Sequence, residues 1–155
     1  MGIRTAARRK EGAPPRMPIA TLLVQETARA IKALIPEVKR LHLVGSRLRH
    51  KYARDLDFVA VSRKLAGRNQ TLKVGNLSVN LFFSAPEDVE PAILEFGLGF
   101  DIMRWKKKAI SMGYHLNRYG LWRGKVLVSQ KMAQIASILG LPLKPFLVYT
   151  LQHPL

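Results

Sequence analysis

The sequence predicts an α+β fold, and three observations lead to that class. Apolar segments near residues 40–45, 56–62 and 71–83 have the length and patterning of β-strands. A longer segment with helical spacing precedes them, and further helical segments follow. Because the strands are grouped along the chain, the pattern predicts a sheet with helices on one face, followed by a small α+β segment.

The first helix is predicted to begin near Pro18 and to end at Pro36. Residues 1–17, which precede it, are rich in Arg, Lys, Gly and Pro and have no periodicity, so they are predicted to form a flexible basic arm. The apolar residues of the helix recur near one face, which should pack on the sheet: Ile19, Leu22, Leu23, Ala30, Ile31 and Leu34.

The third apolar segment contains a hairpin signal. Gly75 and Asn76 separate two apolar runs, as is typical of a tight turn between antiparallel strands. Asn80 lies in the second of these strands. Because side chains alternate between the faces of a strand, Asn80 can face the same cleft as residues 55 and 57.

The second half of the chain is predicted to contain three helices and a hairpin. Ser84 and the acidic residues after it indicate a helix within 86–95, since negative charge is favourable at a helix N-terminus. A second helix is predicted over 101–112, a hairpin across 120–124, and a last helix over 130–139. The residues that should end these helices are Gly97, Gly99, Gly113, Gly140 and Pro142.

Composition narrows the class of protein. The 155 residues are 48% hydrophobic, which suffices for one domain or two small lobes with a core. Cysteine is absent, so disulfides and thiolate metal sites are excluded. The chain contains no apolar segment long enough to span a bilayer and no signal-peptide core. We expect an intracellular protein, in the cytoplasm or nucleoid or associated with a virus, that is not secreted and has no membrane partner.

The net charge is +16, from 26 Lys and Arg against 10 Asp and Glu. Such an excess on a small domain is typical of a protein that binds a polyanion. A thermophilic surface is a poorer explanation, because such surfaces pair Lys with many Glu. The charge favours nucleic-acid binding, although it indicates nothing about catalysis.

A Gly-Ser turn and two aspartates form the most informative motif. Gly45 and Ser46 follow an apolar strand, and ten residues later Asp55 and Asp57 begin another strand. Alternation places both carboxylates on one face, where they repel each other unless a cation lies between them. Oxygen ligands of this kind suit Mg²⁺ or Mn²⁺ shared with substrate phosphates, so the motif indicates phosphoryl or nucleotidyl transfer.

The Gly45-Ser46 turn, followed at this spacing by Asp55 and Asp57 on apolar strands, resembles the signature of the nucleotidyltransferase superfamily. Together with the motifs that follow, it resembles the family X DNA polymerases of that superfamily. The most specific part of the resemblance is Leu116-Asn117-Arg118-Tyr119-Gly120-Leu121. The resemblance implies a palm over 18–85, with a mixed sheet and helices on one face, and a small α+β thumb over 86–155. The chain is most similar to the small viral-type members that consist only of palm and thumb.

The resemblance also implies catalytic and metal-binding residues. Asp55 and Asp57 match two of the family's three metal-binding aspartates, which hold two Mg²⁺ (or Mn²⁺) ions per site. Asn80 stands at the position of the third. Either an aspartate has been replaced at this position or the chain is a naturally inactive member, and the sequence leaves both open.

The resemblance also implies a nucleotide site, in which Gly45 and Ser46 contact the triphosphate. Arg49 is expected to bind the phosphates of the nucleotide, and Arg47 is the alternative candidate for that role. Arginine suits this role because its planar fork matches phosphate oxygens. Phe96 and Gly97 match the motif that family members place against the sugar of the incoming nucleotide. An equal alternative is that Phe96 only fills the core.

The family uses its basic thumb helix against DNA. In this chain the corresponding residues are Arg104, Lys106, Lys107 and Lys108, although such a run can also be a simple solvated face. Trp105, among them, is expected in the core. Asn117 and Tyr119 belong to the hairpin that supports the cleft.

We therefore expect a monomeric DNA-directed DNA polymerase that adds dNMP from a dNTP to the 3′-hydroxyl of gapped or nicked DNA. Two alternatives are an inactive nucleic-acid-binding module that kept the fold and a terminal, template-independent nucleotidyltransferase. A third, modification of a small molecule or protein, fits poorly with the basic surface and with the motif at 116–121.

Overall fold

The computed structural model describes residues 16–155, so the predicted basic arm lies outside the described residues except for its last two positions. The helices are α1 (Thr21–Leu34), α2 (Gly45–Arg49), α3 (Val89–Gly97), α4 (Asp101–Ser111), α5 (Met132–Leu139) and α6 (Pro145–Gln152). The strands are β1 (Met17–Pro18), β2 (Arg40–Val44), β3 (Tyr52–Ala53), β4 (Asp55–Val61), β5 (Asn69–Val74), β6 (Leu77–Ser84), β7 (His115–Asn117), β8 (Gly120–Arg123) and β9 (Val126–Ser129).

The main sheet is mixed, as the α+β prediction requires. Its strand order is β2-β4-β6-β5, in which β4 and β6 are parallel and the two outer pairs are antiparallel. β5 and β6 form the hairpin predicted at Gly75-Asn76. The parallel pairing places Asp57 opposite Asn80.

Helices cover both faces of this sheet rather than the single face that was predicted. On one face, Leu56 and Phe58 of β4 join α1 in an apolar core. On the other, Val59 and Val61 join α3 in a second core, which extends through the later helices. The reason is that β4 is apolar on both faces beyond its first residues, so each face must be covered.

The buried face of α1 differs from the predicted one. It consists of Val24, Thr27, Ala28 and Ile31, whereas Leu22, Leu23 and Leu34 are exposed. The helix begins at Thr21 rather than at Pro18, which lies in β1. The apolar spacing counted from Ile19 therefore does not continue into the helix.

The segment after β6 contains two features beyond the prediction. Three strands, in the order β7-β8-β9, stand where a single hairpin was expected. α6 was not predicted; it follows the stop at Pro142, and Pro145 lies in its first turn, where proline is tolerated. This end of the chain returns to β2, where the backbone groups of Leu155 and Leu41 exchange hydrogen bonds of 2.8 and 3.1 Å. The division into 18–85 and 86–155 stays a prediction.

Within residues 16–155, no helix has both the length and the apolar character that a membrane crossing needs.

Candidate active site

Three polar side chains meet where β4 and β6 run side by side. The Nδ2 of Asn80 donates hydrogen bonds to Asp57 Oδ1 at 2.7 Å and to Asp55 Oδ2 at 3.2 Å. The Oδ1 of Asn80 accepts a hydrogen bond of 2.7 Å from the hydroxyl of Thr71 on β5. The structure therefore brings the two aspartates and Asn80 into one cleft, with an amide bridging the two carboxylates.

The carboxyl group of Asp57 is held in an unfavourable electrostatic environment. Burial raises its pKa from 3.8 to about 6, and the charge of Asp55 acts in the same direction. The hydrogen bond from Asn80 and the charge of Arg49 lower it, but by less. A cation bound between the carboxylates would stabilise the ionised form of Asp57.

Gly45 allows the chain to pass directly over Asp57. It begins α2 immediately after Val44, which pairs with Asp57 across β2 and β4. Its φ is +72°, and a Cβ atom there would lie 2.8 Å from Asp57 Cγ. Glycine is required on both counts, since other residues rarely adopt this conformation and any side chain would collide with the carboxylate. Ser46 is the next residue of the same short helix.

The two candidate arginines of α2 have different surroundings. Arg47 is turned away from the aspartates and donates hydrogen bonds to the carbonyl of Ile19 and the hydroxyl of Thr21, at 2.7 and 3.3 Å. Arg49 donates to the carbonyl of Gly97 at 3.0 Å. Burial and, after it, the charge of Arg16 lower the pKa of Arg49, and Asp57 lies close enough to act in the opposite direction. Of the two arginines, only Arg49 is placed beside the cleft.

Phe96 and Gly97 lie at the end of α3. The ring of Phe96 stacks on Phe82, with 3.8 Å between centroids and an interplanar angle of 5°. Phe82 is two residues beyond Asn80 on β6 and therefore shares its face. Gly97 is packed closely, because a Cβ there would lie 2.7 Å from Leu147 Cδ2. Phe96 is thus adjacent to the cleft and also packed against the core, so both interpretations of its role stay open.

The basic residues of α4 fall into two groups. Arg104, Lys107 and Lys108 are exposed, whereas the Nζ of Lys106 lies 2.8 Å from Glu95 and ties α4 to α3. Trp105 is 1% exposed and belongs to the core, as expected. Lys106 therefore has a carboxylate partner within the protein, and three cations of this run face the solvent.

Asn117 holds the turn between β7 and β8. Its Oδ1 accepts hydrogen bonds from the backbone N–H of Tyr119 at 2.9 Å and from Trp122 Nε1 at 3.1 Å. Tyr119 is 40% exposed, and its carbonyl accepts a hydrogen bond from Gln130. Both residues thus have structural contacts within the segment 115–130, and the ring of Tyr119 is accessible to a ligand.

Sequence reasoning missed two residues that contact this site. Thr71 holds the Asn80 amide, and counting outward from the Gly75-Asn76 turn would have paired Thr71 with Asn80. Arg118 connects the turn between β7 and β8 to β6 by donating to the carbonyl of Phe83 at 2.9 Å. The sequence signal that could have identified Arg118 is its position inside the motif at 116–121.

The donor set fits one divalent cation better than two. Among residues 16–155, no group of three His, Cys, Asp or Glu side chains is arranged to hold a metal ion. Asp55 and Asp57 offer the oxygen ligands that Mg²⁺ prefers, and substrate phosphates and water can complete its shell. At the third position, the amide turns its NH₂ group toward the carboxylates.

The fold of the chain is similar to the crystal structure of Leishmania infantum polymerase beta in a ternary P/T complex, with a TM-score of 0.63 and 17% sequence identity. The match covers 86% of this chain and 76% of that one. The chain has a polymerase beta-like fold. No protein-family model matches the sequence, and no curated protein matches it either. The likeness to polymerase beta therefore lies in the fold.

Proposed function

We propose that the chain is a nucleotidyltransferase of the DNA polymerase type, which adds dNMP to a 3′-hydroxyl on gapped or nicked DNA. The observation that carries the proposal is the position of Asp55 and Asp57. They share one face of the sheet in a polymerase beta-like fold, with Gly45 packed on Asp57 and Arg49 beside it. The two carboxylates suit a divalent metal ion, and the adjacent Arg49 guanidinium suits the phosphates of a nucleotide.

Asp55 and Asp57 would hold Mg²⁺ or Mn²⁺ together with the triphosphate of the nucleotide. Divalent cations in such a site neutralise the phosphates and favour attack by the 3′-hydroxyl. Asp57 must be ionised to act as a ligand, and its pKa of about 6 leaves it ionised at neutral pH. Asn80 stands at the position of the third ligand, where its amide brings no negative charge.

Arg49 would bind the phosphates of the nucleotide. Its hydrogen bond to the Gly97 carbonyl holds the guanidinium toward the cleft and leaves other N–H groups for phosphate oxygens. Gly45 lets the backbone approach the metal-bound phosphates closely, because no side chain stands above Asp57. Ser46 adds a hydroxyl at the same edge.

DNA is proposed as the second substrate. The net charge of +16 favours a polyanion, and the polymerase beta of similar fold was crystallised in a ternary P/T complex. Arg104, Lys107 and Lys108 are the exposed cations that would contact phosphates. Asn117 and Tyr119 would support the thumb side of the DNA.

One observation favours a second candidate, an inactive DNA-binding module. The Asn80 amide already bridges the two carboxylates. Because Asn80 is neutral, the site has two of the three negative charges that were expected. Under this alternative the chain would bind DNA and nucleotide but would not transfer dNMP.

Primer extension on a one-nucleotide gap with Mg²⁺ separates the two functions. Asn80→Asp should increase the rate by two or more decades, which corresponds to roughly 3 kcal/mol of transition-state stabilisation. Asp57→Ala in the Asn80→Asp background is the control and should abolish the gain. If Asn80→Asp gives no gain while nucleotide and DNA still bind, the polymerase function fails and the binding module takes its place.

A further inference from the structure

The hydrogen bonds of the Asn80 side chain define which way its amide points. A carboxylate only accepts hydrogen bonds, so the group turned toward Asp55 and Asp57 must be the NH₂. Its distances to them are 3.2 and 2.7 Å, and the carbonyl oxygen accepts from Thr71 at 2.7 Å. The NH₂ group of the amide therefore donates one hydrogen bond to each aspartate, and its oxygen accepts one from Thr71 on β5.

This NH₂ group lies where a cation would interact with both carboxylates. It carries partial positive charge, and its hydrogen bonds to ionised acceptors are of the stronger, charge-assisted kind. A metal ion that takes both carboxylates as ligands must displace it. The amide oxygen, the only atom of this side chain that could bind the metal, points the other way.

We infer that the Asn80 amide competes with the divalent cation instead of serving as its third ligand, and that Thr71 is the positioning residue that holds the amide in place. The inference rests on the proposed function in one respect, since it takes Asp55 and Asp57 as the ligands of the cation. It goes beyond that function by assigning Thr71 a role in setting metal affinity.

Thr71 is well placed for this role. It is the direct partner of Asn80 across the antiparallel β5–β6 pair, so the two side chains share one face. Its branched Cβ restricts the hydroxyl to few rotamers. The side chain is exposed, and its replacement should not disturb the core.

The alternative is that the amide turns over when metal binds. Asn80 Oδ1 would then face the cation, and the NH₂ group would donate to the Thr71 hydroxyl, which can also accept. Asn80 would be a ligand in that case. The two possibilities predict opposite effects of removing the amide, because deleting a competitor strengthens metal binding and deleting a ligand weakens it.

The test measures Mn²⁺ binding to the full chain without DNA or nucleotide. The electron paramagnetic resonance signal of the free ion reports how much Mn²⁺ is unbound. Asn80→Ala should raise the affinity for Mn²⁺ by about tenfold, as expected when a pair of charge-assisted hydrogen bonds no longer opposes the metal. Thr71→Val should raise it by about threefold, since it removes one neutral hydrogen bond from the metal-free arrangement. Gln70→Ala, on the opposite face of β5, is the matched control and should have no effect.

Asp57→Ala is measured in the same series, with circular dichroism to verify that every variant is folded. The inference is supported if Asp57→Ala abolishes Mn²⁺ binding while Asn80→Ala and Thr71→Val strengthen it. It is overturned, with the metal site intact, if Asp57→Ala abolishes binding and Asn80→Ala weakens it or leaves it unchanged. If Asp57→Ala itself has no effect, the proposed metal site and the competition at it both fail.

Discussion

The guanidinium of Arg118 lies over the ring of Phe96, with its Cζ 5.1 Å from the ring centroid. That ring is also stacked on Phe82. Arg118 also donates hydrogen bonds to Asn69 Oδ1 at 3.0 Å and to the carbonyl of Phe83 at 2.9 Å. One side chain therefore joins the turn between β7 and β8 to the edge of the main sheet and to the end of α3.

Arg118→Ala should lower the free energy of unfolding by about 2 kcal/mol, because a cation–π contact and two hydrogen bonds from a charged donor are lost together. Arg123→Ala is the matched control. Arg123 lies 4.5 Å from the centroid of Tyr114 but is exposed, and its loss should cost well under 1 kcal/mol. Urea unfolding of both variants checks the prediction, and equal losses would contradict it.

Gly45→Ala should weaken nucleotide–Mn²⁺ binding as well as stability. The new methyl group would meet the carboxylate of Asp57 and must also adopt a φ of +72°. Gly140→Ala is the control for the backbone alone, since Gly140 has a φ of +67° with nothing within 4 Å of its added Cβ. Both variants should lose about 1 kcal/mol of stability from the backbone.

Calorimetry with Mn²⁺ and a nucleotide then separates the two effects. Gly45→Ala should lose binding and further stability, whereas Gly140→Ala should bind as the unmodified chain does. Normal binding by Gly45→Ala would show that the contact with Asp57 does not shape the site.

Asp57→Asn should stabilise the metal-free protein at pH 8. The pKa of Asp57 is raised from 3.8 to about 6 in the folded state, so the folded state binds more protons between these pH values. The stability that the protonated carboxyl of Asp57 contributes is therefore complete below about pH 4, and it is lost as the pH rises to about 6 and above. At pH 8 the ionised carboxyl costs about 2–3 kcal/mol, which the substitution should recover.

The measurement is urea unfolding with a chelator present, at pH 8 and again at about pH 3.5, where the two proteins should be nearly equally stable. The low-pH comparison controls for the change of side chain itself. A variant that is no more stable than the unmodified chain at pH 8 would mean that Asp57 is well stabilised as an anion without metal.

Exchanging both Lys107 and Lys108 for Gln should flatten the salt dependence of DNA binding. If each lysine contacts one phosphate, the slope of log K against log salt should fall in magnitude by about 2. Lys106→Gln is the matched control on the same helix, and because Lys106 is paired with Glu95 it should leave the slope unchanged. Fluorescence anisotropy of labelled gapped DNA gives both slopes, and an unchanged slope in the double variant would exclude these lysines from the interface.

The sequence by itself determined the local parts of this protein. The turn at Gly75-Asn76, the ends of α3 and α4 at their glycines, and the common face of Asp55 and Asp57 follow from short-range rules, since turn chemistry and strand alternation act over a few residues. The same rules placed Asn80 on a strand with the correct parity. They did not define the buried face of α1, because the face depends on where the helix begins.

Only the tertiary structure decided how these parts meet. Burial of both faces of β4, the return of α6 to β2 and the pairing of Lys106 with Glu95 all join distant segments of the chain. The choice of Arg49 over Arg47 and the orientation of the Asn80 amide are also long-range results, set by the Gly97 carbonyl and by Thr71. Such contacts depend on packing and on partners far away in the sequence, and local propensity carries no information about them.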